Sequence, residues 1–243
     1  MIALFLKEIR SFLGSLIGYI VMSVFLLLTG LFMWVFPGDM NVLDAGYADI
    51  DALFYIAPWV FMFLIPAITM RSFSEEKRTG TIELLMTKPI SGLQIILAKY
   101  LAGILLVFIT IIPTVVYFIT VGLLGDPLWN IDIGGTIGSY IGLTLLAASY
   151  VSIGILASSL TSNQIVAFLL SVIICFFMYI GFESISSFDL MGSLDSFFLK
   201  LGISNHYQSM SRGLIDTRDV LYFAGLITLF VLLTNLKLKS EKW

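Results

Sequence analysis

Long apolar stretches determine what this chain can fold into. Six runs hold no ionisable side chain in their cores and are long enough to cross a bilayer: about 14–36, 52–70, 96–124, 136–158, 163–182 and 219–237. Lipid offers backbone N–H and C=O groups no hydrogen-bond partner, so such runs must be helices. We therefore predict an all-α integral membrane protein with six transmembrane helices, in which residues 1–243 form a single transmembrane domain.

The distribution of charge predicts an orientation in the membrane. Ten of the 13 Lys and Arg residues lie within residues 1–13, within 71–99 or beyond residue 236. Eleven of the 16 Asp and Glu residues lie in the alternate loops, whose only bases are Lys200, Arg212 and Arg218. Basic loops favour the cytoplasmic side. The pattern predicts that both termini are cytoplasmic.

Residues 1–13 have two faces when they are drawn as a helix. Lys7, Glu8, Arg10 and Ser11 cluster on one face, and Leu4 is the exception to the pattern. The opposite face holds the apolar residues Ile2, Phe5, Leu6, Ile9, Phe12 and Leu13. This amphipathic pattern favours a helix that lies flat at the cytoplasmic interface. The alternative is a simple basic flank of the first span.

The predicted helices also carry packing and bending signals. In the fourth span Gly134, Gly138 and Gly142 recur every four residues, which lets a neighbouring element approach closely. We favour packing inside the bundle over an interface between copies. Pro113 in the third span, like two prolines in the second, removes a backbone hydrogen bond and is expected to disturb its helix.

One segment between the second and third spans is strongly polar. This polar segment, residues 71–95, cannot sit in lipid and must lie at one membrane face. Ser72 and Glu75 have the spacing of a capping box and predict a helix start, with Glu75, Glu76, Lys77 and Arg78 in solvent. Gly80 predicts a hinge, and a second short helix is expected from Thr81 to about Met86, showing Glu83 to water and ending before Pro89. A generic amphipathic connector is the alternative.

The loop 183–218 is too polar for a span and too apolar for a free loop. We predict short external helices there. Its apolar residues, Phe188, Leu190, Met191, Leu194, Phe197, Phe198 and Leu201, alternate with Asp189, Asp195 and Lys200. Glu183 is expected to be solvated at the end of the fifth span. His206 has no second His, Cys or clustered carboxylate nearby in the sequence, so we predict no metal or general-base role for it.

The polar segment resembles a known family. Its sequence SFSEEKRTGTIELLMTKPIS is similar to the cytoplasmic loop of type-2 ABC exporter permeases, whose usual form is E-x-x-x-G-T-x-E-x-L-x-x-x-P. The resemblance implies a coupling helix that docks into a cleft of a separate ATPase subunit. The residues to which it assigns ATPase docking are Glu75, Glu76, Gly80, Thr81, Ile82, Glu83, Leu85, Met86 and Pro89.

The resemblance also implies partners and a location. Longer segments are similar to the permease subunits of gliding-motility-associated ABC transporters. This implies the bacterial inner membrane, an ABC ATPase that holds Mg-ATP, and a second permease half or an auxiliary membrane subunit with an extracytoplasmic domain. In this interpretation the chain itself holds no cofactor, its other contact is the lipid bilayer, and it binds no nucleic acid.

Two other function classes remain open at this stage. An ion-coupled secondary transporter or channel usually places an ionisable residue inside a span, and none is predicted here. An intramembrane enzyme needs a nucleophile with a base or a metal cluster at depth, and the sequence offers neither. The chain has no G-x-x-x-x-G-K-[ST] phosphate-binding motif, and its single cysteine, Cys175, forms neither an internal disulfide nor a thiolate metal site.

Overall fold

The computed structural model describes residues 1–87, 89–186 and 198–240, and within these ranges the protein is helical without strands. Lys88, residues 187–197 of the predicted external loop and residues 241–243 lie outside the described residues. The described helices confirm the predicted fold class.

Six long apolar helical segments within the described residues could each span a membrane. They are Leu16–Trp34, Asp51–Arg78, Gly92–Leu124, Ile133–Leu160, Gln164–Ser186 and Thr217–Ser240. All six fall where the hydropathy pattern predicts them. Their outward faces are covered with large apolar side chains, such as Leu27, Ile173 and Leu236, as expected for helices that contact lipid.

The helices are numbered along the chain. The first eight are α1 (Ile2–Leu13), α2 (Leu16–Trp34), α3 (Val42–Ala45), α4 (Asp51–Thr69), α5 (Arg71–Arg78), α6 (Thr81–Met86), α7 (Gly92–Ile111) and α8 (Val115–Leu124). The next five are α9 (Ile133–Leu160), α10 (Gln164–Phe176), α11 (Phe182–Ser186), α12 (Ile203–Met210) and α13 (Thr217–Ser240). A 3-10 turn, Ile112–Thr114, joins α7 to α8, and a π-helical turn, Phe177–Gly181, joins α10 to α11.

Local sequence explains where several helices begin or are interrupted. The side chains of Ser15, Asp132 and Asn163 accept backbone N–H groups at the starts of α2, α9 and α10, which would otherwise lack partners. The 3-10 turn between α7 and α8 contains Pro113, which has no N–H to continue the α-helical ladder. The predicted disturbance of the third span is therefore confirmed.

Helix α9 forms the centre of the bundle and packs against α4, α7, α10 and α13. Its small residues let neighbours approach. A side-chain carbon added at Gly138 would lie 2.8 Å from Gly213, and one added at Gly142 would lie 2.6 Å from the Cβ of Met210. These glycines therefore serve packing inside the chain, as predicted, and hold the 203–213 region against α9.

Hydrogen bonds attach α12 to the bundle. The Tyr207 hydroxyl donates to the Phe54 carbonyl at 2.7 Å, and burial raises the pKa of this phenol well above its usual range, which keeps it a donor. The Ser139 hydroxyl donates to the Ser211 carbonyl at 2.8 Å. Glu183 is exposed at the end of the fifth span, as predicted, and it also accepts a 2.7 Å hydrogen bond from Ser204.

His206 serves the same attachment. Its Nδ1 lies 2.6 Å from Asp219 and its Nε2 lies 2.9 Å from the Lys200 carbonyl. The imidazole also stacks on Tyr222, with ring centroids 3.9 Å apart. With both ring nitrogens engaged, His206 joins α12 to the start of α13 and has no free nitrogen for a metal ion.

The close approach at Gly142 predicts a large cost for a single methyl group. We expect Gly142→Ala to destabilise the protein by about 1–3 kcal/mol, because overpacking forces the 203–213 region away from α9. Thermal unfolding in detergent micelles measures the effect. Gly225→Ala is the matched control: it adds the same methyl group to a transmembrane helix where no atom lies within 4 Å. A Gly142→Ala protein as stable as the control would contradict the packing role.

Candidate docking segment and its ion cluster

The polar segment begins as a continuation of α4. Met70, between α4 and α5, has helical backbone angles, and its N–H donates to the Pro66 carbonyl at 2.9 Å. The prediction of a helix start capped by Ser72 and Glu75 is therefore wrong: the helix does not end there, so no free N–H groups need capping. A capping box does form at Ser91 and Gln94, where it starts α7.

The predicted hinge and second helix are confirmed. Gly80 separates α5 from α6 with φ of +71°, a conformation that favours glycine. Helix α6 ends at Met86, and the exposed Pro89 follows it. The left-handed conformation of Gly80 interrupts the helix between α5 and α6.

Burial divides the predicted docking residues into two groups. Ile82 is fully buried and Leu85 is half-buried, so they hold α6 on the bundle. The exposed members are Gly80, Thr81, Glu83 and Pro89. Leu84, which the sequence analysis did not select, is 67% exposed and stands beside Glu83. The side chain of Met86 lies outside the described residues.

Beneath α5 lies an ion cluster made by Lys7, Glu8, Glu76 and Lys99. The Lys99 ammonium lies 3.0 Å from Glu8 Oε1 and 3.0 Å from Glu76 Oε1, and it donates to the Ser72 carbonyl at 2.6 Å. Lys7 adds a 3.2 Å contact to the same Glu76 oxygen. The cluster joins α1, α5 and α7 at one point.

Two sequence-based expectations fail at this cluster. Glu76 is buried, although the pattern predicts it in solvent, because Lys99 and Lys7 draw it inward. Lys99 is assigned by sequence to a basic loop, yet its side chain is 1% exposed and lies on α7, inside a predicted span. The signal available in the sequence was a single lysine in the apolar run QIILAKYLAGIL, since a buried ammonium requires nearby carboxylates.

Hydrogen bonds also attach the polar segment to α9. The Ser158 hydroxyl accepts from the backbone N–H groups of Phe73 and Ser74 at 2.9 and 3.1 Å, and donates to the Met70 carbonyl at 2.9 Å. The Lys77 ammonium donates to the Ser159 carbonyl at 2.5 Å. Helix α5 is therefore fixed to the central helix as well as to α1 and α7.

The charged groups of this region have structural roles. In the described ranges no group of His, Cys, Asp or Glu side chains has the geometry to hold a metal ion. The carboxylates of Glu8 and Glu76 are neutralised by lysines, which makes them structural rather than catalytic.

Removing the charge of Lys99 is expected to destabilise this region strongly. Lys99→Met leaves Glu8 and Glu76 buried without their shared cation, and breaking a buried pair in this way costs about 3–5 kcal/mol. Thermal unfolding in micelles measures the loss. Lys7→Met is the control, because the Lys7 side chain is 61% exposed and exposed pairs contribute about 0–1 kcal/mol. Equal midpoints for the two variants would show that Lys99 does not hold the cluster together.

Comparison with known proteins assigns the family. The sequence profile described as ABC-2 family transporter protein matches residues 41–233, from the start of α3 into α13. Among curated proteins, none matches the chain. The matched region covers most of the chain, five of the six spans and the whole polar segment. The chain therefore belongs to the ABC-2 transporter family, as the non-catalytic multi-pass membrane permease of a transporter whose ATPase is a separate subunit.

Proposed function

We propose that the ATPase subunit docks on the polar segment and drives the permease through it. The observation that carries this proposal is the contrast between the two faces of α6. Ile82 is buried against the bundle, while Thr81, Glu83 and Leu84 form an exposed surface of mixed polarity. A surface that is exposed yet rigidly supported is suited to receiving a partner that exerts force.

The proposed docking residues have different roles. Glu83, Thr81 and Pro89 provide direct contacts, with Glu75 at the edge of the surface. Gly80 sets the angle of α6, and Ile82 and Leu85 seat it, with Met86 as the last residue of the helix. Glu76 acts from below, because its carboxylate is held by Lys99 and Lys7.

The proposed mechanism is rigid tilting of the spans. Closure of two ATPase subunits would displace α6, and the continuous helix from Asp51 to Arg78 would carry that motion into the membrane. Helix α10 also contacts α5, so the fifth span would move with it, and the ion cluster would draw α1 and the adjoining α2 along. Tilting would open a path for cargo or move an attached extracytoplasmic subunit.

The proposal includes an orientation and an assembly. We place the polar segment and both ends of the chain in the cytoplasm of a bacterium, with the permease in the inner membrane, because the lysines and arginines concentrate at that end. Helix α1 would lie at the cytoplasmic interface, since Ile2 and Leu6 are exposed along its apolar face. A second permease half, or an auxiliary membrane subunit, would complete the transporter.

A role in gliding motility is a further part of the proposal. It is supported by the similarity of the segments 38–90 and 209–223 to permeases of gliding-motility-associated transporters. In that setting the moving part would be an extracytoplasmic subunit, and the external region near α12 would receive it.

The docking proposal predicts that the hinge angle matters for ATPase binding. Valine is strained at the φ of Gly80, by about 1–3 kcal/mol, and would shift α6. We expect Gly80→Val, and separately Glu83→Lys, to weaken co-purification of the ATPase roughly tenfold or more. Gly46→Val is the matched control: Gly46 has the same φ of +71° and no neighbouring atom within 4 Å, but lies at the opposite end of the bundle. The docking site would be misassigned if Gly80→Val retained the ATPase as well as Gly46→Val did.

The orientation can be tested separately by cysteine labelling. The native Cys175 is fully buried, so it provides a silent background. We expect Thr87→Cys to react with a membrane-impermeant maleimide in inside-out vesicles and not in spheroplasts. Tyr47→Cys, at a position that is 76% exposed at the other end, should show the reverse. Labelling of Thr87→Cys from outside would overturn the proposed orientation.

A further inference from the structure

A polar cleft of about 310 Å³ lies between α1 and α5. Lys7, Ser11 and Ser15 line one wall at helical spacing, and Arg71, Glu75 and Glu76 line the other. The predicted solvent face of α1 is therefore one side of a groove. Its volume is at the lower end of the range for small-ligand sites.

Two residues that line this cleft each have a buried polar atom that lacks a partner in the described residues. The Nε of Arg71 is buried and has no hydrogen-bond acceptor. The Oε2 of Glu76 is buried and has no hydrogen-bond donor. Glu76 as a whole is only 8% exposed. Native proteins rarely leave such groups unsatisfied, so each requires a ligand, an ion or water. One is a donor on a cation and the other is an acceptor on an anion.

The charges of the lining specify the ligand further. Lys99 and Lys7 are paired with Glu8 and Glu76, whereas no ion pair within the described ranges involves Arg71 or Glu75. The cleft thus has one uncompensated cation and one uncompensated anion. A complementary ligand carries an anionic group for Arg71 and a cation with N–H donors for Glu75 and Glu76 Oε2.

The position of the cleft indicates where such a ligand comes from. Ser15, at one end of the cleft, is directly followed by Leu16, the first residue of α2, which is 75% exposed and stands at the start of a membrane span. Ile20 continues this exposed apolar face one turn further along. A headgroup in the cleft would therefore leave its acyl chains along α2.

We infer that this cleft binds the phosphoethanolamine headgroup of a membrane lipid. Arg71 holds the phosphate, and Glu75 with Glu76 Oε2 receives the primary ammonium. Phosphocholine lacks the N–H donors, and phosphoglycerol lacks the cation that balances Glu75. The site rests on α1, which lies outside the family match, and on Arg71, Glu75 and Glu76 of the polar segment. It does not depend on ATPase docking.

Lipid retention by the purified full-length chain tests the inference. Protein reconstituted in bilayers containing phosphatidylethanolamine, phosphatidylcholine and phosphatidylglycerol with the same acyl chains would be extracted in mild detergent, and the co-purified lipids quantified by mass spectrometry. We expect several-fold enrichment of phosphatidylethanolamine over its share of the bilayer. Retention in proportion to the bilayer composition would overturn the site.

Two variants and a control locate the enrichment in the cleft. Arg71→Gln should abolish it, whereas Arg78→Gln, an exposed position on the same helix, should leave it unchanged. Glu75→Gln should shift the preference toward phosphatidylglycerol, because the lining then has a surplus positive charge. A purely structural role for Glu75 would not change lipid preference in this direction. Enrichment that persists in Arg71→Gln contradicts the assignment.

A soluble zwitterion of the same chemistry could also occupy the cleft, and a further experiment distinguishes it from the lipid. O-phosphoethanolamine added to delipidated wild-type protein should raise the unfolding midpoint less than phosphatidylethanolamine does at equal concentration, because it lacks the chains that contact Leu16 and Ile20. A soluble compound that stabilises the protein as strongly as the lipid would overturn the lipid assignment and leave a site for a free zwitterion.

Discussion

The position of Lys99 constrains the architecture of the whole polar end of this permease. An ammonium with 1% exposure on a membrane helix must be neutralised, and Glu8 and Glu76 provide that neutralisation from two other helices. The requirement fixes α1 and α5 against α7. It also explains why an amphipathic helix that precedes the first span, and a loop that follows the second, meet at one point. Replacing the cluster by apolar residues would cost little in principle, so its value lies in specifying which elements meet.

Rigidity at the ion cluster gives the Gly80 hinge its importance. Helix α5 is held by α1, α7 and α9 and is continuous with α4, so the angle between α5 and α6 depends on Gly80 and on the packing of Ile82. In the proposed mechanism, force applied to α6 would enter the membrane along the helix from Arg78 to Asp51. A headgroup bound in the cleft between α1 and α5 would bridge its two walls. It would therefore restrict the motion of α1 relative to α5 further.

Sequence patterns predicted the features that depend on local chemistry or on lipid. The six spans follow from apolar length alone, since lipid tolerates little else, and the α5–Gly80–α6 arrangement follows from one glycine and one proline. The prediction of a capping box at Ser72 failed because the sequence pattern does not show that α4 continues through Met70. The prediction that Glu76 lies in solvent failed for a different reason. The cluster that buries it includes Lys99 and Glu8, which are far away in the sequence, and no local periodicity shows that they meet. The sequence also could not predict the cleft at Arg71, because the cleft forms only where α1 lies beside α5.

The buried lysine also bears on the question of energy source. An ion-coupled carrier needs an ionisable group near the middle of the bilayer. Lys99 is not such a group, because residues 100–124 that follow it already exceed the roughly 20 residues that cross a bilayer, which places Lys99 at the membrane boundary. Its charge is balanced by two carboxylates that fix helices in place. Asp51, Glu183 and Asp219 likewise lie at the ends of their spans. Lys99, Glu183 and Asp219 thus have partners that hold neighbouring helices together, and in the proposed mechanism the energy for movement enters through the surface of α6 from the separate ATPase of the family.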